Sequence, residues 1–472
     1  MSENNFSYEE MLGIGTAHNP SDDELNKLAE FMAVERERIP AGYTYLGQFV
    51  NHDIALDSAT VDKIPPWNPI PVSSIFNRRT PFLNLETIYG FESPSNPNEP
   101  PRAELLEENS HTLLKLGTTV ADVITKTFPN DLPRKSGSPM AVIVEPRNDE
   151  NLAVAQTQVA FMKFHNAVVK NLGRDDTKAT FEFAREIVIR HYQWIILKDF
   201  LPRIIKNSVL NDVLAEGNKF YFPKPDKPYM PLEFSVAAFR AGHSMIRSVY
   251  NWNRVFNEDS NILRATLTEL RNFTGKHGMK GKNNLPSDWI INWNWFYNIN
   301  FSSFLNKQKF NFASNIDTGL AALLASPKPF NREFALAAQD LYRARALGLP
   351  SGQAVTKAIT GSNEKILKPA QIANLLPESL KYRFSRETPL WFYLLAEAEI
   401  EEGGQTLGEV GSRIVAETFI GLLKLGKPSI LNENFQPDPV YCGDDKKFGM
   451  PQMLKFVAQN SKVFDELNPL GR

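Results

Sequence analysis

Two histidines in this 472-residue sequence stand among residue types able to work with them. The first lies in Tyr45-Leu-Gly-Gln-Phe-Val-Asn-His-Asp-Ile-Ala-Leu56, where Gln48, Asn51, His52 and Asp53 interrupt seven apolar or aromatic side chains. If the segment is helical, Gln48 and His52 share a face at i and i+4, with Asn51 and Asp53 flanking it, so two polar groups reach one cavity. His52-Asp53 also reads as the metal-binding dyad of a phosphohydrolase. That chemistry needs a second upstream His and a downstream Asp, and upstream only His18 is available. A core histidine bonded to a neighbouring helix accounts for His52 as well.

The second histidine, His243 in "FSVAAFRAGHSMIRSVY", follows Arg240 at i+3 and Phe239 at i+4. Ala237, Ala238, Ala241 and Gly242 leave room for a flat bulky group to approach the backbone. Small residues beside a single His suit a haem iron ligand, and tight helix packing around a satisfied His explains the same pattern. A third stretch, "EPRNDENLAVAQ", sets Arg147 and Glu150 just ahead of a helix. Glu150 would face the positive end of its dipole and Asp149 would cap it. Arg147, fixed behind Pro146 at the foot of that helix, has no such structural explanation.

The elements that must position these residues read as helices. Leu152, Ala155, Val159, Met162 and Val169 recur at helical intervals, as do Val415, Phe419 and Leu422, which describes amphipathic helices. Phe181 to Leu201, with Ile187, Trp194, Ile195 and Leu197, is apolar all round and reads as a central helix closed by Pro202. Strand alternation is scarce. Pro-rich passages at 65–71, 94–101 and 223–231 carry aromatic residues such as Trp67 and Tyr229 and read as packed loops. No internal repeat appears, so a single large, mainly α domain is expected.

Composition narrows the function classes. With 42% hydrophobic residues and a formal charge of -2, the chain can bury a large core, and nothing in its charge points to nucleic acid or a membrane surface. The lone Cys442 has no internal disulfide partner. Met1 to Glu10 lacks the basic-then-apolar order of a signal peptide, and no apolar run approaches the ~18 residues of a spanning helix. A cytoplasmic location is therefore expected. His165, His191, His18, His111 and His277 have no partner motif, and the first two are assigned to core or loop hydrogen bonds.

Taken in order, "GQFVNHDI", "RTPFLNLETIYG", "EPRNDENLAVAQTQVAFMKFHN", "AAFRAGHSMI", "LYRARALGLPSGQAV" and "TPLWFYLLAEAEI" resemble the successive blocks of the animal-type haem peroxidases (the peroxidase-cyclooxygenase superfamily), in a bacterial form. The resemblance runs from about Gly42 to Leu423. It implies one haem peroxidase domain with the haem buried between helices: an N-terminal arm over 1–40, a core over 41–423 and a C-terminal extension over 424–472. It implies that His52 is the distal base, Gln48 its neighbour toward water or halide, Arg147 the distal cation, and His243 the proximal iron ligand beside Arg240. The implied activity is heterolysis of hydrogen peroxide to give a ferryl haem, which then oxidises a small donor or a halide. A base that takes and returns a proton and a fixed positive charge at the breaking O–O bond suit that reaction.

The resemblance also implies a calcium site built from Asp53, Thr80, Phe82, Asn84 and Glu86, an oxygen-rich set suited to a hard cation. Asn84 stands where an Asp is usual, while Glu86 keeps the carboxylate count at two. Many members hold haem by two ester links. Here Asn51 occupies one of those carboxylate positions and Glu150 the other, so the cofactor is expected as haem b or as haem with a single ester. Gln353 is matched to the Asn that orients the proximal ligand. A fatty-acid dioxygenase of the same superfamily is the alternative activity, but Arg240 replaces the Tyr it places three residues before its proximal His.

Overall fold

The computed structural model describes residues 6–12, 19–31, 37–57, 68–90, 102–225, 227–260, 264–300, 304–325, 336–443, 447–461 and 465–471. His18, Trp67 and the Pro-rich passage 94–101 fall outside them. The longer helices are α1 (Asp22–Phe31), α2 (Gly42–Ile54), α3 (Leu152–Leu172), α4 (Lys178–Ile195), α5 (Asn207–Glu216), α6 (Leu336–Ala346), α7 (Gly352–Thr360), α8 (Leu390–Glu402), α9 (Glu409–Leu425) and α10 (Met450–Gln459). The architecture is mainly α, as expected. Strands are short: Phe6–Glu9 pairs antiparallel with Phe76–Asn77 and parallel with Tyr229–Pro231, which ties the N-terminal arm across two distant parts of the chain. No described helix is long and apolar enough to cross a membrane.

α3 is the centre of the core. Its N-terminus is capped by Asn151, whose side chain accepts the Ala153 N–H at 2.9 Å, and it ends at Gly173 with φ 57°. The expected amphipathic stripe is instead burial on every side from Leu152 to Val169, because α2, α4 and α10 all pack on it. Its polar residues find partners there: Asn166 clasps the N–H and carbonyl of Leu114, and Gln156 donates to the Asn130 carbonyl.

Nor does Pro202 close α4. The chain passes from α4 through a π-turn, Ile196–Phe200, into a further turn, Leu201–Ile204. Pro202 sits at the start of that turn, where its missing N–H is tolerated. The π-turn turns Asp199 toward Tyr43 at the start of α2 (2.9 Å) and toward the Met450 N–H at the start of α10 (2.9 Å).

α2, the helix carrying His52, is held from both ends. Its first residue, Gly42, has the Tyr297 ring so close that a Cβ there would meet it at 2.4 Å. Midway, Phe49 stacks on Phe161 of α3 with centroids 5.2 Å apart and planes 4° from parallel, and the Tyr192 ring of α4 meets both edge-on. We predict that Phe161→Ala destabilises the fold by about 3–5 kcal/mol, the usual range for a deleted core aromatic. Urea denaturation measures it; a change below about 1 kcal/mol would mean that this stack does not hold α2.

Candidate active site

His52 is buried on α2 and its Nδ1 lies 2.7 Å from Oδ1 of Asn148. Asn148 in turn donates its amide to Gln158 Oε1 on α3 at 2.7 Å, which assigns Oδ1 as the free acceptor. His52 therefore carries its proton on Nδ1 and leaves Nε2 as a bare lone pair. Burial, with the nearby Arg147 charge adding, lowers its pKa from 6.5 to about 3, so the ring stays neutral through the physiological range.

Arg147 lies on a short turn, Pro146–Asp149, that opens at Glu145. Glu145 accepts the Arg147 backbone N–H at 3.0 Å, its Nε at 2.9 Å and its Nη2 at 2.8 Å. Nη2 also reaches the carbonyls of His52 (3.1 Å) and Ala55 (2.8 Å), acceptors at the C-terminal end of α2 that favour a cation. The guanidinium is thus fixed to the same helix end as the imidazole. Burial raises Glu145, but Arg147 and Arg79 overcome it and hold the carboxyl well below its usual range. Replacing Glu145 with Ala removes one of the two carboxylates of the buried Arg79 and the carboxylate of the part-exposed Arg147, and we predict a loss of about 3–5 kcal/mol, measurable in the same urea experiment. The helix-entry residues differ from expectation: Asn151 caps α3, whereas Asp149 is buried on Arg134 and the Gly275 N–H.

His243 ends a π-turn and 3-10 segment, Glu233–Ala237 and Ala238–His243, that packs on α2, α6 and α8. In a 3-10 turn residues three apart eclipse, which brings Arg240 and His243 to one side. Both meet Asp340 of α6: His243 Nδ1 lies 2.6 Å from Oδ2, and the Arg240 guanidinium pairs with Oδ1. Asp340 is fully buried, and although burial raises it, these two partners lower its pKa overall. Gln353, expected to orient His243, bonds Thr388 instead, donating to Oγ1 at 2.8 Å and accepting the N–H at 3.0 Å. Asp340 holds the position assigned to it.

The two histidines present matching arrangements. Each has Nδ1 committed to a fixed oxygen, and among the described residues neither Nε2 makes a hydrogen bond. Arg147 Nη1 and the side-chain amides of Gln48 and Asn51, all half-buried residues, are likewise uncommitted. The segment that carries His243 packs on α2, the helix of His52. Beside His243, a Cβ added to Gly242 would meet nothing within 4 Å. One imidazole nitrogen free for iron and open space beside it fit a haem. Glu150 pairs with Lys276.

The calcium set fits less well. Asp53 accepts the N–H of Leu85 at 3.1 Å and both the N–H and hydroxyl of Thr87 at 3.2 Å. Glu86 accepts the Thr80 N–H at 2.9 Å, the Thr80 hydroxyl at 2.5 Å and the Arg79 guanidinium at 3.0 Å. Asn84 donates to the Thr80 hydroxyl at 3.2 Å, and the Phe82 carbonyl lies against Gly426. The loop is drawn together, yet its two carboxylates face different donors and one of them already holds a cation. Burial, against hydrogen bonds from Thr87 and Leu85, raises Asp53 to about 7, and the charge of Glu86 adds to the shift. Because His52 turns to Asn148 while Asp53 turns to Leu85 and Thr87, the adjacent pair does not form a metal-binding dyad. His165, between Tyr89 and the Thr112 carbonyl, and His191, on the Ile187 carbonyl, are core histidines as expected.

Asn148, Gln158, Glu145, Arg79 and Asp340 were not singled out in the sequence. Asp340 carried the clearest signal, an acid inside the apolar run Ala337, Ala338, Leu341 and Ala344.

Solved structures sharing this fold include peroxidase A of Dictyostelium discoideum, 14% identical with a TM-score of 0.56, covering 98% of this chain and 94% of that one. Fatty acid alpha-dioxygenase of Oryza sativa is 15% identical with a TM-score of 0.57, covering 93% and 77%. Among curated relatives, a peroxidase-like protein of Margaritifera margaritifera is 28% identical over 185 residues, 37% of this chain and 22% of that protein. Dual oxidase of Drosophila melanogaster is 25% identical over 146 residues, 30% of this chain and 9% of its own. The chain thus matches a minor part of the length of these two relatives. The family model for animal haem peroxidase matches residues 68–422, a span that takes in Arg147, His243 and Asp340 and begins beyond α2, so that Gln48 and His52 lie outside it, and the chain belongs to that family.

Proposed function

We propose that the chain is a haem-dependent peroxidase in which His52, Arg147 and Gln48 serve the peroxide and His243 holds the iron. The observation that carries the reading is the pair of imidazoles with Nδ1 anchored and Nε2 uncommitted, one accompanied by a guanidinium with a spare Nη1. The haem, when bound, supplies the redox chemistry. His52 would accept a proton at Nε2 from one peroxide oxygen and return it to the other, which departs as water. Arg147 presents positive charge, held in place by Glu145, where negative charge develops on that oxygen. Gln48, one turn before His52, orients water or a halide. Over a cycle one hydrogen peroxide and two one-electron donors, each giving up a hydrogen atom, yield two waters and two donor radicals.

The family also includes oxygenases, and Arg240 bears on that choice. The position three residues before His243 holds a guanidinium bound to Asp340, which offers no phenol for a radical. With Glu150 engaged by Lys276 and Asn51 an amide, haem b without an ester link is favoured. A cytoplasmic location belongs to the same proposal.

Purified protein, expressed with haem precursor, should show a Soret band and oxidise a phenol or a halide only when peroxide is added. Acid-acetone should extract all of its haem. Oxygen uptake with palmitate and no peroxide would move the assignment to a dioxygenase. A haem-free protein with bound divalent metal and phosphatase activity would overturn the haem reading altogether.

A further inference from the structure

Arg79 immediately precedes the loop that the family resemblance assigns to calcium, and its side chain is almost fully buried. Its Nη1 donates to Glu86 Oε1 at 3.0 Å, its Nε and Nη2 to Glu145 Oε2 at 3.1 and 2.9 Å, and its Nη2 also to the Val144 carbonyl at 3.1 Å. Both carboxylates are about as buried as the guanidinium between them. Buried charges persist only when paired and hydrogen-bonded, and here two acids and two cations, Arg79 and Arg147, alternate in one chain. That chain ends on the carbonyls of His52 and Ala55, so it runs from the 80–86 loop to the C-terminus of α2.

We propose that Arg79 is the built-in cation of this corner and that the chain holds the loop and Arg147 in place without calcium. The loop needs positive charge because Glu86 is in the interior, and Arg79 delivers it from within the sequence. A guanidinium suits the task better than a point charge, since its planar fork bonds Glu86 on one side and Glu145 on the other. A divalent ion on Glu86 would have to share that carboxylate with Arg79 and would sit against its charge. The backbone is bound in as well: Asn77 accepts the Arg79 N–H at 3.1 Å and the Leu56 N–H at 2.8 Å, and donates to the Ile54 carbonyl at 2.8 Å. Arg79 therefore acts as a positioning residue for Arg147, through Glu145.

The proposal is separable from the peroxidase reading, because its first test needs neither turnover nor a Soret band. Calcium in the protein as purified is measured by atomic emission, and the melting temperature is followed with EGTA and with about 1 mM calcium chloride. A site filled about a thousandfold over its Kd would raise the melting temperature by roughly 4 °C in a chain of this length. The expectation is calcium far below one per chain and no shift in either direction. One calcium per chain, or a fall of several degrees in EGTA, overturns the proposal.

The second test compares Arg79→Met with Arg79→Lys. Arg79→Met frees Glu86 beside Asp53, Thr80 and Asn84, so its melting temperature should fall and then recover with calcium, whereas the parent does not respond. Arg79→Lys should retain part of the parent stability. A purely structural loss would not recover with calcium. If Arg79→Met keeps the parent melting temperature, or falls without responding to calcium, Arg79 is not the cation of this loop. Should that variant fail to fold, calcium content and chelation of the parent still decide.

Discussion

Replacing His52 with Ala should lower peroxide-dependent oxidation by about 10²–10⁴-fold, the contribution of a positioned acid-base group, while haem content stays at the parent level. The two effects separate because His52 and His243 are held by different elements, one on α2 through Asn148 and the other on Asp340 of α6. The pH dependence gives a further check. With its pKa lowered from 6.5 to about 3, the folded ring is already the free base at pH 5, so the rate of reaction with peroxide should show no acid limb from His52 between pH 7 and about pH 4. Stability follows the opposite course. The unfolded chain binds a proton near 6.5 that the folded chain refuses until about 3, so the contribution of neutral His52 is present above 6.5 and is lost as pH falls through that window. His52→Ala should therefore be less active at every pH and less sensitive to acid unfolding. Peroxide-induced change of the Soret band at the parent rate in His52→Ala would remove His52 from the distal role.

What made the helix of His52 legible was local: polar residues at i and i+4 within an apolar segment, which forms as α2. The same held for the helices around Val159 and Phe419, which form as α3 and α9. Long-range partners were not legible in this way. Asp340 lies 97 residues beyond His243, and only the packing of α6 on the 3-10 segment brings the two together. The sequence-based choice, Gln353, lies farther along the chain than Asp340 and is bonded to Thr388. Arg79 was overlooked for a related reason. A charged residue before a loop looks solvated, and nothing local reveals that Glu145, 66 residues on, closes over it. Amphipathicity misread α3 because helical spacing reports which side chains share a face, not how many neighbours cover the others.

The second large effect concerns the proximal side. His243→Ala should abolish haem retention, since it removes the imidazole proposed to hold the iron. Asp340 tests how that ligand is held. Asp340→Ala strands Arg240 and leaves His243 free to rotate, and second-shell losses of this kind lower metal affinity by about 10–100-fold. Its effect on stability should be about 2–3 kcal/mol, below the fully buried case, because Arg240 keeps about a quarter of its side chain in solvent. Asp340→Asn is the more telling substitution. It keeps an oxygen for His243 Nδ1–H but removes the negative charge that makes Nε2 electron-rich, so haem should remain while its reduction potential rises. Spectroelectrochemistry of the ferric/ferrous couple reads this directly. An unchanged potential in Asp340→Asn would mean that Arg240 already neutralises the carboxylate as far as the iron is concerned, and that the acid serves only to fix the ring.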